Sequence, residues 1–292
     1  MCDMVNIIDV AHRLRKPTSY VSALFDDCLA TGRDVSEGGA RYNSTGPQAC
    51  GIATCADALS NIDYLVFQTR QCTGADLLRA VRNNWAGDEV LYALANSPKV
   101  PHFGNDDDRA DRFYRFVFDA YCAHVERHDN PRGGRFCPGV YSVNANVGMG
   151  MNLGASVDGR MAGEPISDNM GPVHTARASH DVEGPTAIAN SVNKVDHTRA
   201  TNGTLLNWKF PPECVAGEQG RENLIRFVDG YFSGTAMHCQ FNIMSSETMR
   251  QAMARPQDYR DMLVRVAGYS AYFVELSEPL QMDLINRTEL SF

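Results

Sequence analysis

The reading of this chain starts from Arg265-Val-Ala-Gly-Tyr-Ser-Ala-Tyr-Phe273, close to its last residue. Gly268 stands between an apolar run (Met262, Leu263, Val264, Val266) and an aromatic, β-prone run (Tyr269, Tyr272, Phe273, Val274). A glycine so placed reads as a bend, a bulge or a close backbone approach. Ala267, Ser270 and Ala271 are small enough to pack such a loop tightly. Beyond it come Leu276-Ser277, Gln281 and Ile285-Asn286-Arg287-Thr288. Ser277 can N-cap a last helix that tolerates Pro279 in its first turn.

Working outward, the 292 residues are 43% hydrophobic and 21% charged, an ordinary globular composition with room for one large domain or two smaller ones. A formal charge of −8 argues against general binding to phosphate backbones. No apolar run approaches the roughly 18 residues of a membrane helix. The start, Met-Cys-Asp-Met-Val-Asn, lacks the basic and apolar regions of a signal peptide, so the cytoplasm is the expected location. Nine cysteines without a C-x-x-C pair suit reduced thiols better than a disulfide framework or a zinc site.

Periodicity predicts helices over residues 5–14, 20–29, 51–64, 75–85 and 109–128, with shorter helical pieces over 246–254 and 256–262. Asp106-Asp-Asp108 precedes the fifth helix, where carboxylates cap free amides and meet the helix dipole more simply than they bind a cation. His124 and His128 are spaced i, i+4, but the pattern is H-x-E-x-H and no third ligand is evident. Residues 136–147 read as a strand with Tyr141, Val143 and Ala145 on one face. His238-Cys-Gln-Phe-Asn-Ile243 reads as a buried strand. Gly148-x-Gly150-x-x-x-Gly154 has the wrong spacing for a dinucleotide loop, and no βαβ unit follows it.

Together, the string from Arg265 to Phe273 and the residues up to Thr288 resemble the radical-site signature of the glycyl radical enzymes, the pyruvate formate-lyase-like superfamily. Gly38-Gly-Ala-Arg-Tyr-Asn-Ser-Thr-Gly-Pro-Gln48 and Asp158-Gly-Arg-Met-Ala-Gly-Glu-Pro-Ile-Ser-Asp168 resemble two further blocks of that superfamily, as do residues 184–194, 201–207 and 238–243. The resemblance implies an α/β fold: the C-terminal part of a ten-stranded barrel with the glycyl radical loop inside it. Residues 1–165 would belong to the barrel and 166–292 to a glycine radical domain. It implies that Gly268 carries the radical. Loss of a hydrogen atom from Cα leaves an electron shared between the amide nitrogen and the carbonyl, which needs a planar centre without a Cβ. Such a radical also calls for a dry, tightly packed loop. The strand that holds Tyr141 lines the substrate cavity in that superfamily, so Tyr141 is a candidate substrate contact.

The implied reaction is radical elimination from a small polar substrate, breaking a C–O, C–N or C–S bond, by a dehydratase or lyase. A formate C-acetyltransferase and an arylacetate decarboxylase are the alternatives within the superfamily. A spare-part glycyl radical domain that repairs a damaged enzyme, and a non-enzymatic α/β binding protein, are the alternatives outside it. Paired cysteines near the radical glycine, expected of an anaerobic ribonucleotide reductase, are absent. The expected cofactor is the glycyl radical itself, with no bound metal. S-adenosylmethionine and an iron–sulfur cluster belong to a separate activating enzyme, which abstracts hydrogen from Gly268. A homodimer is expected of the full-length enzyme, in the cytoplasm or a bacterial microcompartment, with no nucleic-acid or membrane partner. The superfamily's thiyl cysteine lies in a G-C-x-E-like loop. No G-C-x-E occurs here, and Cys2, Cys28, Cys50 and Cys137 lack that context. The expectation is that the thiyl cysteine and the first half of the barrel lie upstream, that the chain is a truncated or split-gene portion, and that it is inactive alone.

Overall fold

A computed structural model describes residues 1–175, 177 and 179–292. In chain order its helices are α1 (Cys2–Arg15), α2 (Ser19–Ser22), α3 (Cys28–Thr31), α4 (Ile52–Ile62), α5 (Gly74–Arg82), α6 (Glu89–Ala95), α7 (Asp108–Val125), α8 (Ala145–Met151), α9 (Gly184–Asn193), α10 (Gly217–Tyr231), α11 (Ser246–Ala254) and α12 (Glu278–Asn286). The strands are β1 (Asn207–Phe210), β2 (Gln240–Ile243), β3 (Leu263–Arg265) and β4 (Ser270–Tyr272).

Four extended segments lie side by side in sequence order and all run parallel. Thr45 bridges Phe136 and Gln48 bridges Gly139, while Val140 bridges Thr204. Next, β1 pairs with β2 from Asn207↔Gln240 to Phe210↔Ile243. Parallel neighbours cannot be joined by a tight hairpin, so each crossover carries helices: α4 to α7 after the first segment, α8 and α9 after the second, α10 after the third. The result is mixed α/β with sequential parallel strands, the arrangement of a barrel wall.

The larger core lies behind this wall. Ile52, Ala53 and Ala56 of α4 meet Tyr114, Phe118 and Cys122 of α7, and Trp208 and Phe210 of β1 join them. Phe103 stacks on Tyr114 at 3.7 Å, and Trp208 stands edge-on to Phe227 at 4.8 Å. A second core gathers Met249 and Ala252 of α11, Val264, Val266, Phe273, and Leu280, Leu284 and Ile285 of α12, with Val147 of α8 inserted among them.

Several boundaries differ from the sequence expectations. The strand expected over 136–147 stops at Val140; Val143 takes φ +59 and α8 begins at Ala145. Tertiary contacts decide this: Asn146 bonds to Asp283 and Val147 enters the second core, which an alternating strand would forbid. The helix expected over 20–29 splits into α2 and α3, because Asp27 between them adopts φ +72. Ser277 is the N-cap residue of α12, but its side chain makes no capping bond. The acidic triplet behaves as capping and pairing groups. Asp107 accepts the Arg109 amide at 2.9 Å, and Asp106, Asp108 and Asp111 surround Lys194 Nζ at 2.7, 2.8 and 2.7 Å. The His124 and His128 rings lie 5.1 Å apart, and among the described residues no group of three or more His, Cys, Asp or Glu is arranged to hold a metal.

Candidate radical site

Strands β3 and β4 form a hairpin in register Leu263↔Tyr272, Val264↔Ala271 and Arg265↔Ser270, closed by the Val266 amide donating to the Tyr269 carbonyl at 2.9 Å. Ala267 and Gly268 make the turn, and Gly268 takes φ +81, a left-handed conformation that favours glycine. Ala267 is buried below the tip, whereas Gly268 itself is exposed. The dry surroundings expected of this loop are therefore built on one side only by the described residues. Among the described residues, a Cβ placed on Gly268 would have one neighbour within 4 Å, Leu205 Cδ1 at 3.6 Å.

Side-chain amides hold the loop from beneath. Gln240 and Asn242 point to the same face of β2, as period two requires, and both are buried. Asn242 exchanges two hydrogen bonds with the backbone of Arg265: Nδ2 donates to its carbonyl at 2.7 Å and Oδ1 accepts its amide at 2.8 Å. Gln240 Oε1 accepts the Gly268 amide at 3.0 Å and Arg265 Nη2 at 3.2 Å, while its Nε2 donates to the Val266 carbonyl at 3.3 Å. On neighbouring β1, Asn207 Oδ1 accepts a second bond from Gln240 Nε2, and Asn207 Nδ2 donates to Asp168.

Charged groups complete the ring. Arg287, just past α12 and buried, meets Asp283 at 3.1 Å and Asp168 at 3.3 Å. Burial pushes the Asp283 carboxyl up; Arg287 opposes this and the charge on Asp168 adds to it. Asn146 Nδ2 donates to Asp283 at 2.9 Å and so ties α8 to α12. Behind the ring, the buried Lys209 donates to Ser246 Oγ at 2.7 Å and to the Ile285 carbonyl at 2.8 Å, anchoring the last turn of α12. Burial depresses the Lys209 ammonium to about 8, although Glu289 opposes this.

Of the two residues singled out from the sequence, Gly268 is at the hairpin tip. Tyr141 is half-buried in the loop between Val140 and α8. That loop reaches the hairpin through Asn144 Nδ2, which donates to the Tyr269 hydroxyl at 3.4 Å. Gln240, Asn242, Asn207, Asp168 and Asp283 were not singled out. The available signal was polar alternation inside an otherwise apolar strand at Gln240-Phe-Asn242. Among the cysteines, Cys50 sits 3.9 Å from the Ser167 carbonyl, and burial together with Asp168 and Asp283 pushes its thiol up to about 12. Cys239 faces away from the loop into the larger core, its thiol pushed up to about 11 by burial.

Residues 1–150 match the model of the pyruvate formate lyase-like family, and residues 169–274 match the glycine radical model. The chain belongs to the pyruvate formate lyase-like family of glycyl radical enzymes. It is 62% identical over 292 residues to the (2S)-3-sulfopropanediol dehydratase of Klebsiella oxytoca, a match that covers 100% of this chain and 35% of that one. It is 38% identical to the trans-4-hydroxy-L-proline dehydratase of Clostridioides difficile, across 94% of this chain and 34% of that one. The glycerol-bound B12-independent glycerol dehydratase of Clostridium butyricum superposes with a TM-score of 0.94 at 40% identity, covering 100% of this chain and 36% of that one. The chain thus spans about a third of the length of the relatives it matches. No helix among the described residues is long and apolar enough to cross a membrane.

Proposed function

We propose that this chain is the radical-storing portion of a glycyl radical dehydratase, with Gly268 bearing the radical. The observation that carries the reading is Gly268 itself: a left-handed glycine at the exposed tip of a hairpin, fixed by buried amides, within the stretch that matches the glycine radical model. An activating enzyme would remove the Gly268 Cα hydrogen with a radical generated from S-adenosylmethionine at an iron–sulfur cluster. The surrounding bonds hold the loop in place without covering that hydrogen. On this proposal residues 1–165 are barrel and 166–292 the radical domain, and the remainder of a full-length protein covers the tip and supplies the thiol that passes the radical to substrate.

The relatives favour a small polar substrate that loses water, and the level of identity to the sulfopropanediol dehydratase favours a sulfonated diol. Tyr141 is the candidate substrate contact from this chain. Anaerobic incubation of the intact protein with its activase and S-adenosylmethionine should give an organic radical signal by electron paramagnetic resonance. That signal should be absent in Gly268→Ala. The activated protein should dehydrate (2S)-3-sulfopropanediol faster than glycerol or trans-4-hydroxy-L-proline. A preference for either of the latter would reassign the substrate while leaving the radical site in place.

A further inference from the structure

Gln240 touches the group whose electrons a glycyl radical shares, and its orientation is fixed by its neighbours. Asp168 accepts from Asn207 Nδ2, which turns Asn207 Oδ1 toward Gln240. Gln240 must then present Nε2 to Asn207, leaving Oε1 for the Gly268 amide at 3.0 Å. Arg265 Nη2, a donor only, meets the same oxygen at 3.2 Å, so the assignment is over-determined. Gln240 is buried and its contact with the Gly268 amide is partly so, and a hydrogen bond is electrostatically stronger in such surroundings than in water.

We propose that Gln240 is the positioning residue of the radical site: through the Gly268 N–H it sets how strongly the amide nitrogen shares the unpaired electron. The inference rests on Gly268 as the radical-bearing residue. When a hydrogen atom leaves Cα, the nitrogen lone pair donates into the half-filled orbital and the carbonyl withdraws from it. An acceptor on the N–H pushes electron density onto that nitrogen and strengthens the donation. The Gln240 bond from Nε2 to the Val266 carbonyl, at 3.3 Å, holds the turn two residues earlier, so one side chain fixes both the loop's path and the nitrogen's partner.

The test uses the intact protein grown with ¹⁵N-glycine, activated anaerobically, with the nitrogen hyperfine coupling read by electron–nuclear double resonance. Gln240→Leu removes the acceptor and Gln240→Glu replaces it with a stronger, charged one. The two variants should move the coupling in opposite directions from wild type. Gln240→Leu should also shorten the anaerobic half-life of the radical roughly two- to tenfold, the worth of one hydrogen bond. If Gln240→Leu accumulates no radical, Gln240→Glu decides alone: a displaced coupling supports the proposal and an unchanged one overturns it. A shorter half-life with wild-type coupling in both variants would overturn it too, since that is what a purely structural clamp produces. Persistence of the signal in Gly268→Ala would overturn the underlying assignment instead, so the two failures are separable.

Discussion

Arg287 donates through Nη1 to the carbonyl oxygen of Val266 at 3.0 Å. One guanidinium thereby joins the β3–β4 hairpin to α12, and through Asp168 to the end of the Asp158–Asp168 block. The planar guanidinium aims Nη1 and Nη2 in fixed directions, one to the Val266 carbonyl and the other to the two carboxylates. Arg287→Met should leave Asp168 and Asp283 buried side by side without their counter-charge, a loss of about 3–5 kcal/mol. Asp283 is already pushed up by burial, with Arg287 opposing; without Arg287 it rises further. A raised carboxyl binds its proton more tightly in the folded state, so the variant's stability falls as pH rises. Urea unfolding at pH 5 and pH 8 should therefore show the larger deficit at pH 8. An equal deficit at both would remove the carboxylates from the account.

Lys209 gives a second pH signature, of the opposite sign. Its ammonium titrates near 8 in the folded protein, against 10.5 when unfolded. Between those values the unfolded chain binds more protons, so stability rises with pH. The full difference, two to three pH units, corresponds to about 3 kcal/mol. In Lys209→Met this component of the slope should vanish. The comparison is the change in unfolding free energy from pH 7.5 to 9.5, wild type against variant. Parallel slopes would place the lysine in a more hydrated setting than its bonds to Ser246 and Ile285 indicate.

Lys194 sits among Asp106, Asp108 and Asp111, and only Asp111 of the three is buried. Lys194→Met should cost about 3 kcal/mol, chiefly because the Asp111 charge stays buried with its ion-pair partner gone. Exposed pairs contribute far less. Adding Asp111→Asn, which keeps an oxygen for the Ser191 hydroxyl at 3.0 Å, should recover most of the loss. Thermal melts of the two single variants and the double variant measure the coupling. Additive losses would mean that Lys194 acts through the exposed carboxylates.

The bend at Gly268, α11 and strand β2 were legible because each is local: a glycine between an apolar and a β-prone run, a short helical piece, an extended segment. The ring under the loop was not. The strand over 238–243 reads as buried, but nothing in Gln240 or Asn242 alone names a partner, and Asp168 reads as the end of a turn. Their burial depends on partners far along the chain, such as Asn207 for Gln240 and Arg287 for Asp168. The same cause hid α8. Its sequence Ala-Asn-Val-Gly-Met-Gly-Met has two glycines and weak helical preference, and contacts to Asp283 and the second core outweigh that.

Glycine is demanded for different reasons at different places, and Gly268→Ala separates them. At Gly150 a Cβ would meet the Glu164 carbonyl oxygen at 2.2 Å, a clash that backbone cannot absorb. At Gly268 the same atom would find, among the described residues, only Leu205 Cδ1, at an ordinary 3.6 Å. The remaining penalty is conformational: φ +81 costs an alanine about 1–2 kcal/mol. Gly268→Ala should therefore fold cooperatively and melt only a few degrees below wild type, whereas Gly150→Ala should be far more disruptive. The added methyl would nevertheless oppose flattening of Cα, so the folded Gly268→Ala protein should form no radical. Differential scanning calorimetry and electron paramagnetic resonance on the same sample test both halves. A Gly268→Ala protein that fails to fold would show that packing, rather than radical chemistry, requires the glycine there.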